Sequence, residues 1–341
     1  MVKAILLQSL ASVSRCHYGG MGMILSLHRV VPAGEQSLQP DNRAMEITPA
    51  SLEQLIAHFR ATGCRFAALS EVPALLAAGG HPQRFVCFTF DDGYVCNLTQ
   101  ALPIFSRHRI PFSVNIVTSF ADHRGLVWWN VLEAVLERLE KVRTPWLENS
   151  PELRLENFAD KTAAFEAIAQ FLRNAGQPRR DEHLQELCAQ AGVDPLALSR
   201  RLMMDWDQIR TLAKDELVTI GSHTVNHYTL NRLEEAAVKA EIMDAKRQTE
   251  EILGRPVRHF AYPFGGRSAD GPREFNIAAS CGFETMVTTR SGCLFARHKD
   301  YLYCLPRLTI SGNSPAVTRL QRLEGGLERL RHLDFQSVVT D

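Results

Sequence analysis

Phe88-Thr89-Phe90-Asp91-Asp92-Gly93-Tyr94 closes an apolar run that begins at Phe85, and its reading decides the fold. Residues 85–90 are short in extent, aromatic and β-branched, the composition of a strand buried on both faces in a parallel sheet. An acidic pair and a glycine end the run. Carboxylates at the end of such a strand stand where α/β and barrel folds carry their chemistry. Two adjacent carboxylates repel each other, so a divalent cation is a natural neutralising partner. The remaining ligands must then come from elsewhere in the chain, and Gly221-Ser222-His223-Thr224-Val225-Asn226-His227 offers them.

Outward from this stretch, strand and helix alternate. Residues 21–27 read as a strand ending at His28-Arg29-Val30-Val31-Pro32, followed by a polar loop over 33–47. Thr48-Pro49 gives an N-cap with proline at the first helical position. Leu52, Leu55, Ile56 and Phe59 form the apolar stripe of that helix, and Gly63 stops it. A helix over about 97–108 and a strand over 112–117 follow the central strand. Helical periodicity then predominates from about 128 to 205, broken at Pro145, Pro151, Pro178 and Pro195. This reads as a helical insertion within a single catalytic domain spanning 1–341. Alternation resumes with a helix at 206–213, a strand at 218–220 and a long helix at 231–253, whose Asn231 and Glu234 have capping-box spacing. A strand from 259, a helix at 272–280, strands at 285–289 and 304–310 and a helix near 315–332 complete the pattern. Such alternation predicts an α/β fold built of βα units.

Composition narrows the function classes. A chain of 341 residues can hold one large α/β domain, and 45% hydrophobic with 22% charged residues is ordinary for a globular protein. Lys+Arg and Asp+Glu are equal at 38 each, so no global field draws the chain to nucleic acid or anionic lipid. No apolar run approaches the ~18 residues of a membrane span. Lys3-Ala4-Ile5-Leu6-Leu7 faintly resembles a signal peptide, but Gln8-Ser9 interrupts it and no small-residue cleavage site precedes Arg15. The expectation is a short amphipathic helix there and a cytoplasmic protein, peripheral at the membrane at most. The eight cysteines form no C-x-x-C pair, which suits core thiols in a reducing compartment and argues against a cysteine zinc site.

His223 and His227 are four apart, so on a helical turn their imidazoles share a side. With one carboxylate of Asp91-Asp92 they make a two-histidine, one-carboxylate set. Three protein ligands and an open position are the pattern of a catalytic metal, which would bring the pKa of a water there to about 7.

These segments resemble a known family. Thr89-Phe90-Asp91-Asp92-Gly93 and Ser222-His223-Thr224-Val225-Asn226-His227 are similar to the first two motifs of the polysaccharide deacetylases, the nodulation-protein-B homology family. Phe260-Ala261-Tyr262-Pro263-Phe264-Gly265 is similar to the third. The resemblance covers about 22–125 and 205–310 and implies an irregular (β/α) barrel of about seven strands. Residue by residue, it implies Asp92, His223 and His227 as metal ligands and Asp91 as the general base. It gives the Phe264 N–H to the oxyanion, with Pro263 and Tyr262 beside it at the substrate. The implied ion is zinc, with cobalt or nickel also suiting the ligands, and the implied partner is an N-acetylated saccharide, with lipid linkage open.

The sequence also departs from the family pattern. Ala261 stands where many members carry an arginine that braces the base, and Glu284-Thr285-Met286-Val287-Thr288-Thr289 replaces the D-x-x-D-W segment that partners it. A buried charge left over would be costly, so joint loss reads as variation within the family, and Arg307 is the candidate replacement brace. No leucine-x-histidine follows residue 300. Leu25-Ser26-Leu27-His28-Arg29-Val30 resembles a permuted form of that motif, which makes His28 the expected general acid. Trp128-Trp129 could line a sugar site or simply pack. Together these readings predict a metal-dependent carbohydrate N-deacetylase. A deformylase or other amidase on the same site, or a saccharide-binding barrel without turnover, are the alternatives.

Overall fold

The computed structural model describes residues 17–78, 83–148, 152–175, 179–324 and 338–340. Its strands in chain order are β1 (Gly22–Leu27), β2 (Arg29–Val30), β3 (Glu46–Ile47), β4 (Arg65–Phe66), β5 (Phe85–Phe90) and β6 (Phe112–Ile116). They continue with β7 (Lys141–Arg143), β8 (Glu152–Arg154), β9 (Val218–Ser222), β10 (His259–Ala261), β11 (Thr285–Ser291) and β12 (Leu305–Thr309). The main sheet runs β1-β12-β11-β10-β9-β6-β5-β4, and β1 also pairs with β5. That pairing closes a parallel barrel of seven strands, with β4 lying outside the ring against the start of β5. Helices surround it, so the expected α/β barrel is the fold found.

Strand parity explains both the core and the site. Successive side chains along a strand point to opposite faces. On β5, Val86, Phe88 and Phe90 face outward into the cluster shared with Leu52, Leu55, Ile56 and Phe59 of helix Pro49–Ala61. Phe85 and Cys87 face inward, where they pack with Ile24, Ala261, Val287 and Leu305. Leu69, Val72 and Leu76 belong to the same cluster and close that end. Continuing the inward parity toward the strand ends gives Ser26 and His28 after Ile24, Thr89 and Asp91 after Cys87, and Arg307 after Leu305. The polar side chains of the site thus stand on top of an apolar plug.

The insertion between β6 and β9 is helical over Trp128–Arg138, Phe158–Asn174, Arg179–Ala191 and Pro195–Leu202. It also holds the antiparallel pair β7–β8, which the helical reading did not anticipate. Its own apolar cluster takes in Tyr94, Val117 and Phe120 from the barrel loops, so the insertion is packed onto the mouth of the barrel. Met204 N–H donates to Gly93 O at 3.0 Å, tying its exit to the acidic loop.

Two boundaries differ from expectation. The long helix spans Glu235–Leu253, with Glu234 as N-cap and Gly254 left-handed at its end. Leu230–Arg232 is a separate 3₁₀ turn, and Asn231 does not cap the helix because its Nδ2 donates to Ser268 O. The expected helix at the chain's start and the part of the last helix beyond Glu324 lie outside the described residues. Among the described residues no helix is long and apolar enough to cross a membrane.

Candidate active site

β1 and β5 are paired with Leu27 opposite Phe90, so the next residues, His28 and Asp91, leave the sheet side by side. Asp91 N–H donates to Leu27 O at 3.0 Å, and Asn97 Nδ2 holds His28 O at 2.8 Å. His28 is partly exposed and lines the same cavity as Asp91.

Asp91 is buried and held on several sides. Arg307 Nη1 donates to its Oδ1 at 3.0 Å and Nη2 to its Oδ2 at 2.7 Å, while Asn115 Nδ2 also donates to Oδ1 at 2.7 Å. Arg307 is fully buried; its remaining donors reach Thr89 Oγ1 at 2.9 Å and Thr288 O at 2.8 Å. Arg307 thus hydrogen-bonds both oxygens of Asp91 from below, and it does not line the cavity over the site, where a substrate-contacting residue would stand. Burial alone would raise the Asp91 carboxyl, but the Arg307 charge holds it far below the usual carboxylate range. Gly221 belongs to the same device: it pairs with Asn115 across β6–β9, and a Cβ there would meet Asn115 Oδ1 at 2.1 Å. The absent side chain leaves room for the amide that steadies Asp91.

Asp92, His223 and His227 converge. Asp92 Oδ1 lies 3.5 Å from His223 Nε2 and 3.4 Å from His227 Nε2. All three residues are buried. The histidines do not meet on a helical turn, as their spacing predicted. Residues 223–227 are a loop in which Thr224 (φ 67°) and His227 (φ 55°) are left-handed, and that reversal brings the ring centroids within 4.9 Å. Glu241 on helix Glu235–Leu253 pins the loop, accepting from Val225 N, Asn226 N and Asn226 Nδ2 at 3.1, 2.8 and 2.6 Å. Asp92 (φ 74°) and Phe264 (φ 61°) are left-handed too, so four of the six non-glycine residues with positive φ among those described belong to the site. Strained backbone of this kind gathers at functional positions.

The donor set fits a cation. His223 Nδ1 is 2.7 Å from Ala261 O, a contact that needs the proton on Nδ1 and leaves Nε2 with a bare lone pair. Asp92 Oδ1 is buried with no hydrogen-bond partner, and burial together with Asp91 raises its carboxyl well above the ordinary value. Burial likewise lowers both imidazoles, favouring the neutral, ligating form. Asp92 Oδ1 facing the bare Nε2 of His223 is unfavourable without something positive between them.

A cavity of about 460 Å³ opens over this group. Its walls include Tyr262, Phe264 and Thr289 from the β10 and β11 ends, and Trp128, Trp129, Phe165 and Arg173 from the insertion. The Phe264 turn is clamped to β11, with Thr289 N–H donating to Gly265 O at 3.0 Å and Thr289 Oγ1 to Phe264 O. Tyr262 presents only its ring, because its hydroxyl donates to Tyr303 O at 2.8 Å. Pro263 is buried and not part of the cavity wall.

Asp41 and Asn42, not singled out in the sequence, also line the cavity. Buried Glu133 of helix Trp128–Arg138 pins this rim: its Oε1 accepts from Leu38 N and Gln39 N at 3.0 and 3.1 Å, and its Oε2 from Asn42 Nδ2 at 2.6 Å.

A family model described as polysaccharide deacetylase matches residues 78–286, more than half of the chain. The chain belongs to the polysaccharide deacetylase family. Membership supports deacetylation of a saccharide as the class of activity. The match spans the insertion but neither His28 nor Arg307, which the two flanking strands supply. Among solved structures the chain is similar to the Streptococcus pyogenes deacetylase PplD in complex with acetate, at 17% identity and TM-score 0.56, covering 89% of this chain and 97% of that one. It is similar to IcaB from Ammonifex degensii (19%, TM-score 0.57, 89% and 98% covered). A de-N-acetylase from Aggregatibacter actinomycetemcomitans has 14% identity and TM-score 0.54, with 88% and 99% covered. At these identities the likeness is one of fold. No curated protein matches the chain.

Proposed function

We propose that the protein is a metal-dependent hydrolase that removes the N-acetyl group from an acylated amino sugar. The observation that carries this reading is the convergence of Asp92, His223 and His227, with Asp92 Oδ1 otherwise unpartnered, under a cavity in the size range of small-molecule sites. These three residues would hold the ion. When bound, a divalent metal, zinc best and cobalt or nickel also suiting the ligands, supplies a Lewis acid for the amide carbonyl and acidifies water in its open position.

The chain's other residues divide the proton work. Asp91 Oδ1 already accepts two hydrogen bonds and Oδ2 one, so Oδ2 is the atom with capacity to take the proton of the attacking water. Arg307 fixes that oxygen in place and lowers its basicity, so the proton is readily passed on. His28 is assigned the departing amine. Desolvation, opposed by the Asp91 charge, pushes its imidazole down to about 4, so His28 in its protonated form would be a strong donor. The Phe264 N–H, turned by its left-handed backbone, is assigned the developing oxyanion, a role worth about 2.7–4 kcal/mol in comparable sites.

The test is release of acetate from N-acetylglucosamine oligomers by the zinc-loaded protein. Release that stops with chelator and in Asp91→Asn supports the reading. Formate release from a formylated sugar instead supports the amidase alternative. Tight saccharide binding without turnover in any metal supports a binding barrel.

A further inference from the structure

Three hollows meet beside the site. The cavity over Asp92 shares Trp128, Arg173 and Phe264 with a second hollow of about 180 Å³, and Arg173 and Phe264 with a third of about 300 Å³. Arg180 lines the second, and Arg232 lines both the second and the third. Among the described residues no aspartate or glutamate lines either of these two hollows. A chain with equal numbers of acidic and basic residues has therefore gathered three guanidinium groups along one trough leading from its site.

Arg173 and Arg232 are held weakly, Arg180 more firmly. Arg173 faces Asp41 at 3.6 Å with both side chains about half exposed, a pairing worth little. Arg232 Nη2 donates to a neutral acceptor, Asn174 Oδ1, at 2.9 Å. Arg180, 11% exposed, is ion-paired through Nε with neighbouring Asp181 at 3.0 Å, and its guanidinium, 5.8 Å from the Tyr228 ring, still lines the second hollow. A further donor is idle: Trp128 is buried, lines both the cavity and the second hollow, and its Nε1 has no acceptor among the described residues. Planar forks of N–H donors suit phosphoryl oxygens, which accept in pairs.

We infer that this trough binds a phosphoryl group carried by the substrate, so that the acylated amino sugar arrives as a glycosyl phosphate or diphosphate. The sugar end of the inference rests on the deacetylase reading; the anion end does not. The phosphoryl group can come from a nucleoside diphosphate or from a lipid carrier, and both present the same oxygens to the arginines.

The experiment compares acetate release by the zinc-loaded protein from methyl N-acetylglucosaminide, UDP-N-acetylglucosamine and a short-chain prenyl diphosphate N-acetylglucosamine. The expected result is a kcat/KM at least about tenfold higher for one or both phosphorylated substrates, shrinking as salt is raised. Arg232→Gln and Arg173→Gln should each reduce that preference by about tenfold. Whichever phosphorylated substrate is preferred identifies the carrier. Equal use of the neutral sugar, or a preference unmoved in both variants, overturns the inference. Calorimetry with inorganic pyrophosphate separates the two readings. Pyrophosphate binding lost in Arg232→Gln, with no acetate from any substrate, keeps the anion site and sinks the deacetylase. Acetate release with no pyrophosphate binding does the reverse.

Discussion

Replacing Arg307 by methionine tests the central electrostatic argument. Arg307 and Asp91 are 0% and 2% exposed and meet through two charge-assisted hydrogen bonds of 3.0 and 2.7 Å. Methionine fills much of the volume but leaves Asp91 with Asn115 Nδ2 as its side-chain donor. Breaking a buried pair by removing one partner costs roughly 3–5 kcal/mol, two to four powers of ten in the folding constant. The sign follows from linkage. With Arg307 present the folded-state pKa of Asp91 is depressed, so its contribution exists above the unfolded value near 3.9 and is lost as pH falls through the folded one. Without Arg307, burial raises that pKa and the contribution reverses. Urea unfolding near neutral pH should therefore show Arg307→Met weakened by several kcal/mol, with the deficit narrowing toward pH 4. The double variant Arg307→Met/Asp91→Asn should recover much of the loss, because no uncompensated charge remains. An Arg307→Met protein as stable as the parent at every pH, or a double variant no better than the single, would refute the reasoning.

Three further outcomes are expected. Asp92 has a raised folded-state pKa, so without an ion it favours folding below the unfolded value near 3.9 and loses that contribution as pH rises through the raised one. A cation removes this loss, so the thermal stabilisation given by added zinc over the chelated protein should grow as pH rises, and should vanish in His223→Ala. His28→Gln should lower kcat by about 10²–10⁴-fold, the range of general acid catalysis, with little change in unfolding; unchanged kcat would remove His28 from the mechanism. Glu133→Ala strips the acceptor from Leu38 N, Gln39 N and Asn42 Nδ2. Amide exchange at residues 38–39 should then quicken and KM rise more than kcat falls.

Much of this site was legible in the sequence because it follows strand parity. The run from Phe85 to Phe90 announces a doubly buried strand, and what sits just past its end must face the mouth. Arg307 follows the same rule two residues after Leu305, though only the missing arginine at Ala261 drew attention to it. The left-handed turns at Thr224 and His227 were not legible. The four-residue spacing suggested a helix, whereas the loop reaches the same convergence through backbone held by Glu241, sixteen residues from Val225 in sequence. The capping box at Asn231 was a local pattern overridden by a tertiary hydrogen bond to Ser268. β7 and β8 are three residues each, too short for alternation to register. The rim at Asp41 and Asn42 was hidden because its anchor, Glu133, lies some ninety residues away.

Barrel closure has a temporal consequence. Asp92, His223 and His227 all precede β12 in the chain, so a nascent chain carries the three candidate metal ligands while the guanidinium that keeps Asp91 ionised is still to be made. The brace on Asp91 then arrives only with the final lock of β12 between β11 and β1. On the proposed mechanism, hydrolysis would report that the ring is shut.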